Sequence, residues 1–195
     1  MYENEIAKYR VLNQLAESDG TVIFGGSEDV KIPLGELKQA FALGGSIYNR
    51  SFPGLHAADA ARVLRDCVCE LCPDTVLLHI GEADLPDFQK NRTAFETDYR
   101  GIIAALRETN KDCRIVIVSL KNYDNNGTAS KMNEQLKSIA DSEKCEFEDI
   151  SQKRAWNVKA SSETASFIYE IGFDRPLNIK RPLCNLVRIL FCYEG

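Results

Sequence analysis

Hydrophobic positions along the chain fall into short apolar runs separated by stretches with helical spacing. Residues 3–18 place Ile6, Tyr9, Val11, Leu12 and Leu15 at the intervals of an amphipathic helix, which Gly20 ends. Thr21-Val22-Ile23-Phe24 is a short apolar run bounded by glycine, the pattern of a buried strand, and Gly25-Gly26-Ser27 then turns the chain. The spacing predicts a helix over 33–43 closed by Gly44-Gly45, a short strand at 46–48, and a long helix at 56–71 that Pro73-Asp74 breaks. Thr75-Val76-Leu77-Leu78-His79-Ile80 is the clearest buried strand. Further helices are predicted at 92–109, with Phe95, Tyr99, Ile102, Ile103 and Leu106 on one face, and at 128–142. Further strands are predicted at 114–119 and 145–150, and a last helix at 182–193. Residues 122–127 read as a polar loop, and 151–170 are weakly patterned.

Strands apolar on both faces, alternating with helices, imply a parallel sheet covered by helices. The expected fold class is α/β, a three-layer α/β/α sandwich of about five parallel strands in one domain over 1–195. Ligands of such sheets bind beyond the carboxyl ends of the strands. Three loops lie there, at 25–30, 49–54 and 81–84.

Composition narrows the function. With 195 residues, 44% hydrophobic and 27% charged, the chain has the apolar content of a folded domain. Lys+Arg is 24 against Asp+Glu 29, a net charge of −5 with no basic block, so nucleic acid is not the expected partner. No apolar run has the length of a membrane helix, and the first residues lack a basic segment followed by an apolar one. A cytoplasmic protein is expected, with its seven cysteines reduced. Oligomeric state is not legible.

Ser27, on a turn made by two glycines after a strand, is a candidate nucleophile whose own N–H would serve an oxyanion; the plain alternative is a turn serine. Gly54, in Asn49-Arg50-Ser51-Phe52-Pro53-Gly54-Leu55-His56, is a candidate second oxyanion donor or an ordinary turn residue. Glu82 and Asp84, in Gly81-Glu82-Ala83-Asp84, are carboxylates at a ligand-facing edge, or a helix-start cluster in which Asp84 caps its own turn. The two histidines are His56, read as solvated at a helix start, and His79, read as a core histidine bonded to backbone. Cys67, Cys69 and Cys72 form Cys-x-Cys-x-x-Cys at a helix end without a second cluster, and read as small buried apolar residues. No metal or cofactor is expected. Arg175 to Arg181, with Lys180, is a basic stretch read as a solvated loop.

In order and spacing, these loops resemble the SGNH/GDSL hydrolase family. Val22-Ile23-Phe24-Gly25-Gly26-Ser27 is similar to its Gly-Asp-Ser block, and Asn49 to Gly54 to its Asn-Arg-Gly-x-x-Gly-like loop. His79-Ile80-Gly81-Glu82-Ala83-Asp84 is similar to its Gly-x-Asn-Asp block. Residues 5–13, 132–136 and 147–150 resemble the leading helix, late helix and last strand of members similar to platelet-activating-factor acetylhydrolase subunits.

The resemblance implies a flavodoxin-like sandwich and a small acyl-ester substrate. It implies Ser27 as nucleophile and the N–H groups of Ser27 and Gly54 as oxyanion donors. A pocket would be lined by Gly26, Glu28 and His56, and on the third loop by Gly81, Glu82, Ala83 and Asp84.

The departures fall on the chemistry. Gly26 stands where the family has Asp, and Ala83 where it has an Asn oxyanion donor. Near the C-terminus the family's Asp-x-x-His corresponds to Ile171 and Asp174, and no histidine comes after His79. The serine's base would be Asp174, His56 or another group. Two functions fit: a serine ester hydrolase with a degenerate site, weak or inactive, or a non-catalytic relative that binds a small ligand or a protein.

Overall fold

In the computed structural model the structure describes residues 2–122, 127–151 and four helical positions near the C-terminus, Leu186, Val187, Leu190 and Phe191. The elements run α1 (Glu3–Asn13), β1 (Thr21–Gly25), α2 (Leu34–Ala40), β2 (Ile47–Asn49), α3 (Ala57–Cys67), β3 (Thr75–His79), α4 (Phe88–Thr109), β4 (Arg114–Val118), α5 (Thr128–Glu143) and β5 (Glu146–Glu148). All neighbouring strands pair in parallel, and the five lie in the order β2-β1-β3-β4-β5. Reversal of strand order between β1 and β3 opens a crevice at their carboxyl ends, where open α/β sheets bind ligands.

Alternation along each strand divides the core in two. Val22, Phe24, Val76, Leu78, Ile115 and Ile117 pack into a cluster with side chains of α1, α3, α4 and α5. Ile23, Leu77, Val116 and Val118 face the opposite layer, with Leu37 of α2 and Val187, Leu190 and Phe191 of the C-terminal helical segment. Both faces are covered, so the strands read as unbroken apolar runs. Three layers and five parallel strands are the architecture that the hydrophobic pattern predicts.

Boundaries shift where tertiary contacts compete with periodicity. The first helix stops at Asn13 rather than 18, and Val11, Leu12 and Leu15 are exposed instead of facing the core. Beyond it the chain is held by polar contacts: the Glu17 N–H donates to the Tyr48 hydroxyl at 2.7 Å, and Ser46 Oγ donates to the Glu17 carboxylate at 2.7 Å. α4 begins at Phe88 but bends at Asn91 (φ −114°, ψ 22°), so its regular part coincides with the predicted 92–109. α3 ends at Cys67 and a 3-10 turn continues to Leu71. The cysteine trio therefore does not behave as one buried group. Cys67 is buried, Cys69 half-buried, and Cys72, left-handed at φ 43°, exposed. Burial pushes the Cys67 thiol up to about 12 and the Cys113 thiol up to about 11, which keeps both un-ionised and unreactive. No helix among the described residues is long and apolar enough to cross a membrane.

Leu78 on the central strand is fully buried between β1 and β4. Leu78→Ala is expected to lower the free energy of unfolding by about 2–5 kcal/mol, measured as the shift of a urea transition at unchanged slope.

Candidate active site

The three loops predicted to carry chemistry meet at the carboxyl ends of β1, β2 and β3. Ser27 comes after β1 on a half-buried turn, and its Oγ accepts a hydrogen bond from the Gly54 N–H at 2.9 Å. Two residues twenty-seven apart in sequence are thus joined hydroxyl to amide. Gly54 has φ +63°, the left-handed region that glycine enters without strain, and this turns its amide toward Ser27.

The loop bearing Gly54 is held at many points. The Arg50 and Phe52 amides donate to the carbonyls of Ile23 and Gly25 at 2.8 and 3.0 Å, continuing the β1–β2 ladder into the loop. Ser51 Oγ accepts from the Gly25 N–H at 3.1 Å. Phe52 is fully buried among Tyr2, Tyr9 and Phe24 in edge-on ring contacts. From α1, the Tyr9 hydroxyl donates to the Ser51 carbonyl at 2.8 Å, and Tyr2, at the α1 N-cap, donates to that of Gly54 at 3.0 Å. Arg50, buried, lies over the rings of Tyr9 and Tyr48, and its Nε donates to Asn13 Oδ1 at 2.9 Å. Gly54 is therefore fixed at its amide by Ser27 and at its carbonyl by the leading helix.

Beneath the serine turn lies a group that sequence reasoning does not single out. Asp29, 2% exposed, accepts the Gly26 N–H on Oδ2 at 2.7 Å. His79 Nδ1 contacts its Oδ1 at 2.8 Å and its Oδ2 at 3.0 Å. The Asp29 carbonyl accepts from Asn49 Nδ2 at 2.7 Å. His79 is a buried core residue as expected, but its partner is this carboxylate and not the backbone. Its register explains why: His79 pairs with Gly25 across the β1–β3 ladder, so its ring points into the same layer as the residue four beyond Gly25. A Cβ on Gly25 would lie 1.8 Å from Asp29 Oδ2, so only glycine admits the pair. Phe191 stands edge-on to the imidazole at a centroid distance of 4.9 Å, and Nε2 has no hydrogen-bond partner among the described residues. Helical periodicity has no purchase on Asp29, which sits in a 3-10 turn over Asp29–Lys31.

The third loop enters through Gly81, at φ +131°. A Cβ there would lie 2.8 Å from Met132 Sδ, so glycine alone lets the chain pass under α5 and into the 3-10 turn Glu82–Asp87. Asp84 does not cap its own turn. Its Oδ2 accepts the Ala57 N–H at 3.1 Å, capping α3, and its Oδ1 meets His56 Nδ1 at 3.1 Å. His56 is exposed, as expected for a helix start, yet oriented by this carboxylate. Burial pushes the Asp84 pKa up, opposed by the hydrogen bonds from Ala57 and His56. Ala83 is half-buried and presents a methyl group. The exposed Glu82 reaches toward Gly26: a Cβ on Gly26 would sit 3.2 Å from its Oε2. An Asp at position 26 would therefore face a second carboxylate. Glu28, exposed, pairs with Lys121 at 3.6 Å, on a loop that Asn133 holds through both backbone groups of Leu120. Asp174, Ile171, the 175–181 stretch, Cys184 and Cys192 lie outside the described residues.

No family model matches the chain, and no curated protein does. Solved structures do. A Streptococcus pneumonia protein assigned provisionally as a platelet activating factor superposes with a TM-score of 0.66 at 20% identity, over 76% of this chain and 74% of that one. An acetyl xylan esterase gives 0.58 at 17% identity over 67% and 77%. A GDSL-like lipase from Bacteroides thetaiotaomicron gives 0.54 at 19% identity over 74% and 77%. The chain has the α/β fold of the SGNH/GDSL hydrolases. Within that class, its three loops stand at the carboxyl edge of the sheet with Ser27 and Gly54 in contact.

Burial works against a charged His79, but the charge and hydrogen bond of Asp29 outweigh it; Glu82 adds to them and Lys121 opposes, so the pKa is raised above 6.5. The stabilisation from this raised value is complete below 6.5 and is lost as pH rises through the folded value. The urea midpoint is expected to fall as pH rises from 6.5 upward, and to fall less in His79→Gln; equal slopes for the two proteins would refute the linkage.

Proposed function

We propose that the chain is a serine ester hydrolase of the GDSL type, acting on small acyl esters and slow for its class. The contact between the Gly54 N–H and Ser27 Oγ at 2.9 Å carries this reading. A donor that touches the nucleophilic oxygen is aimed at the space where a carbonyl oxygen becomes an oxyanion once that nucleophile attacks. Ser27 Oγ attacks the ester carbon, the Gly54 and Ser27 amides hold the oxyanion, the alcohol leaves, and water hydrolyses the Ser27 acyl ester.

His56 is the described group we assign as base. Asp84 engages Nδ1, which leaves Nε2 to accept the serine proton, the division of roles in a Ser-His-Asp arrangement. Asp174 is the second candidate. Ala83 withholds the side-chain donor that the family has at its position, an omission that typically costs about 10²–10³ in rate. The protein is read as one domain over 1–195, working in the cytoplasm on a small ligand without nucleic acid, metal or cofactor.

A second reading, a pseudo-hydrolase that binds a small ligand or a protein, is favoured by Glu82. Its carboxylate stands against Gly26, where negative charge opposes a developing oxyanion.

Hydrolysis of p-nitrophenyl acetate by the wild type, Ser27→Ala and His56→Ala separates these readings. The hydrolase predicts turnover that vanishes in Ser27→Ala and drops about 10²–10⁴-fold in His56→Ala. Wild-type turnover in His56→Ala would transfer the base to Asp174, tested by Asp174→Asn. Equal rates for wild type and Ser27→Ala would leave the binding reading.

A further inference from the structure

Asp29 joins all three loops of the site without being exposed to any substrate. One carboxylate oxygen accepts the Gly26 N–H at 2.7 Å, a short bond of the charge-assisted kind. Its main-chain carbonyl holds Asn49, whose own Oδ1 accepts the Ser51 N–H at 3.0 Å at the root of the Gly54 loop. His79, on β3, grips both carboxylate oxygens. A carboxylate this deeply buried is costly unless every lone pair of consequence is engaged, and here imidazole and amide engage it. The Gly25–Gly26 peptide is the last unit before Ser27. Its orientation sets the direction of the serine side chain and of the Ser27 amide. Two adjacent glycines leave that peptide many orientations; a charged acceptor under one of its atoms selects a single one.

We propose that Asp29, clamped by His79, is a positioning residue that sets the Ser27 turn. The pair touches neither Ser27 Oγ nor the space above it, and it acts through the Gly26 amide. The inference rests on the reading of Ser27 as the reactive hydroxyl. It adds to that reading an ion pair in the layer beneath the loop, on the face of the sheet covered by Phe191. It also accounts for two glycines at once. Gly25 must lack a Cβ because Asp29 occupies the place, and Gly26 donates the amide that Asp29 holds.

The test uses the full-length chain, ¹⁵N-labelled, as wild type, Asp29→Asn, His79→Gln and Ser27→Ala. Two readouts are taken on protein shown to be folded by circular dichroism: the Gly26 amide proton shift, and the rate at which a fluorophosphonate probe labels Ser27. Asp29→Asn keeps the shape and removes the charge. The Gly26 proton is expected far downfield in the wild type and moved upfield in Asp29→Asn, with Ser27 labelling lowered about 10²-fold. His79→Gln, which leaves the carboxylate but loosens it, is expected to fall between.

An unmoved Gly26 proton in both variants would overturn the proposal. So would a moved proton with labelling at the wild-type rate. If Asp29→Asn does not fold, His79→Gln carries the same two readouts. Failure of the probe to label wild type above Ser27→Ala would count against the hydrolase reading instead, and the Gly26 shift would then decide the positioning role alone.

Discussion

A buried carboxylate at the end of the first strand organises the functional edge of this molecule. Asp29 is tied to the serine turn through Gly26, to the second loop through Asn49 and to the third strand through His79. Each of these bonds spans a different connection of the fold, so the site forms only when β1, β2 and β3 are already in register. In the low-dielectric interior such a network is strong when complete and costly when broken. The sheet therefore does more than present its loops; it encloses the charge that aligns them.

The oxyanion loop has a second support that is apolar and aromatic. Phe52 is sunk among Tyr2, Tyr9 and Phe24, and the two tyrosines from the leading helix use their hydroxyls on loop carbonyls. Tyrosine suits this place because one end packs while the other bonds. α1 buries only Ile6 of its own helical residues, so its value to the fold lies in these contacts as much as in its apolar face. The helix that packs least is the one that fixes Gly54.

Around this frame the electrostatics differ from those of an efficient esterase site. Ala83 offers no donor, and Glu82 brings a carboxylate to the side of Gly26. Asp84 is spent on the α3 amide and on His56. The nucleophile-to-amide geometry is kept while the groups that would raise its rate are replaced, which is why a slow hydrolase and a binding protein are the two readings that share this structure.

The sandwich was legible in the chain because its signals are local. Apolar runs such as Val76-Leu77-Leu78 need no partner to be recognised, and parallel order is implied by helices between strands. The same holds for Ser27 and Gly54, whose turns are marked by glycine, and for the missing donor at Ala83. What the sequence could not determine was which polar side chains meet. Asp29 looked like one charge in a turn, His79 like a histidine bonded to backbone, and Asp84 like the cap of its own helix. Only the register of β1 on β3 brings His79 over Asp29, and only the packing of the third loop against α3 carries Asp84 to Ala57 and His56. Hydrophobic periodicity records which face of an element is buried. It carries no record of the distance between two side chains on different elements, and the chemistry of this site depends on such distances.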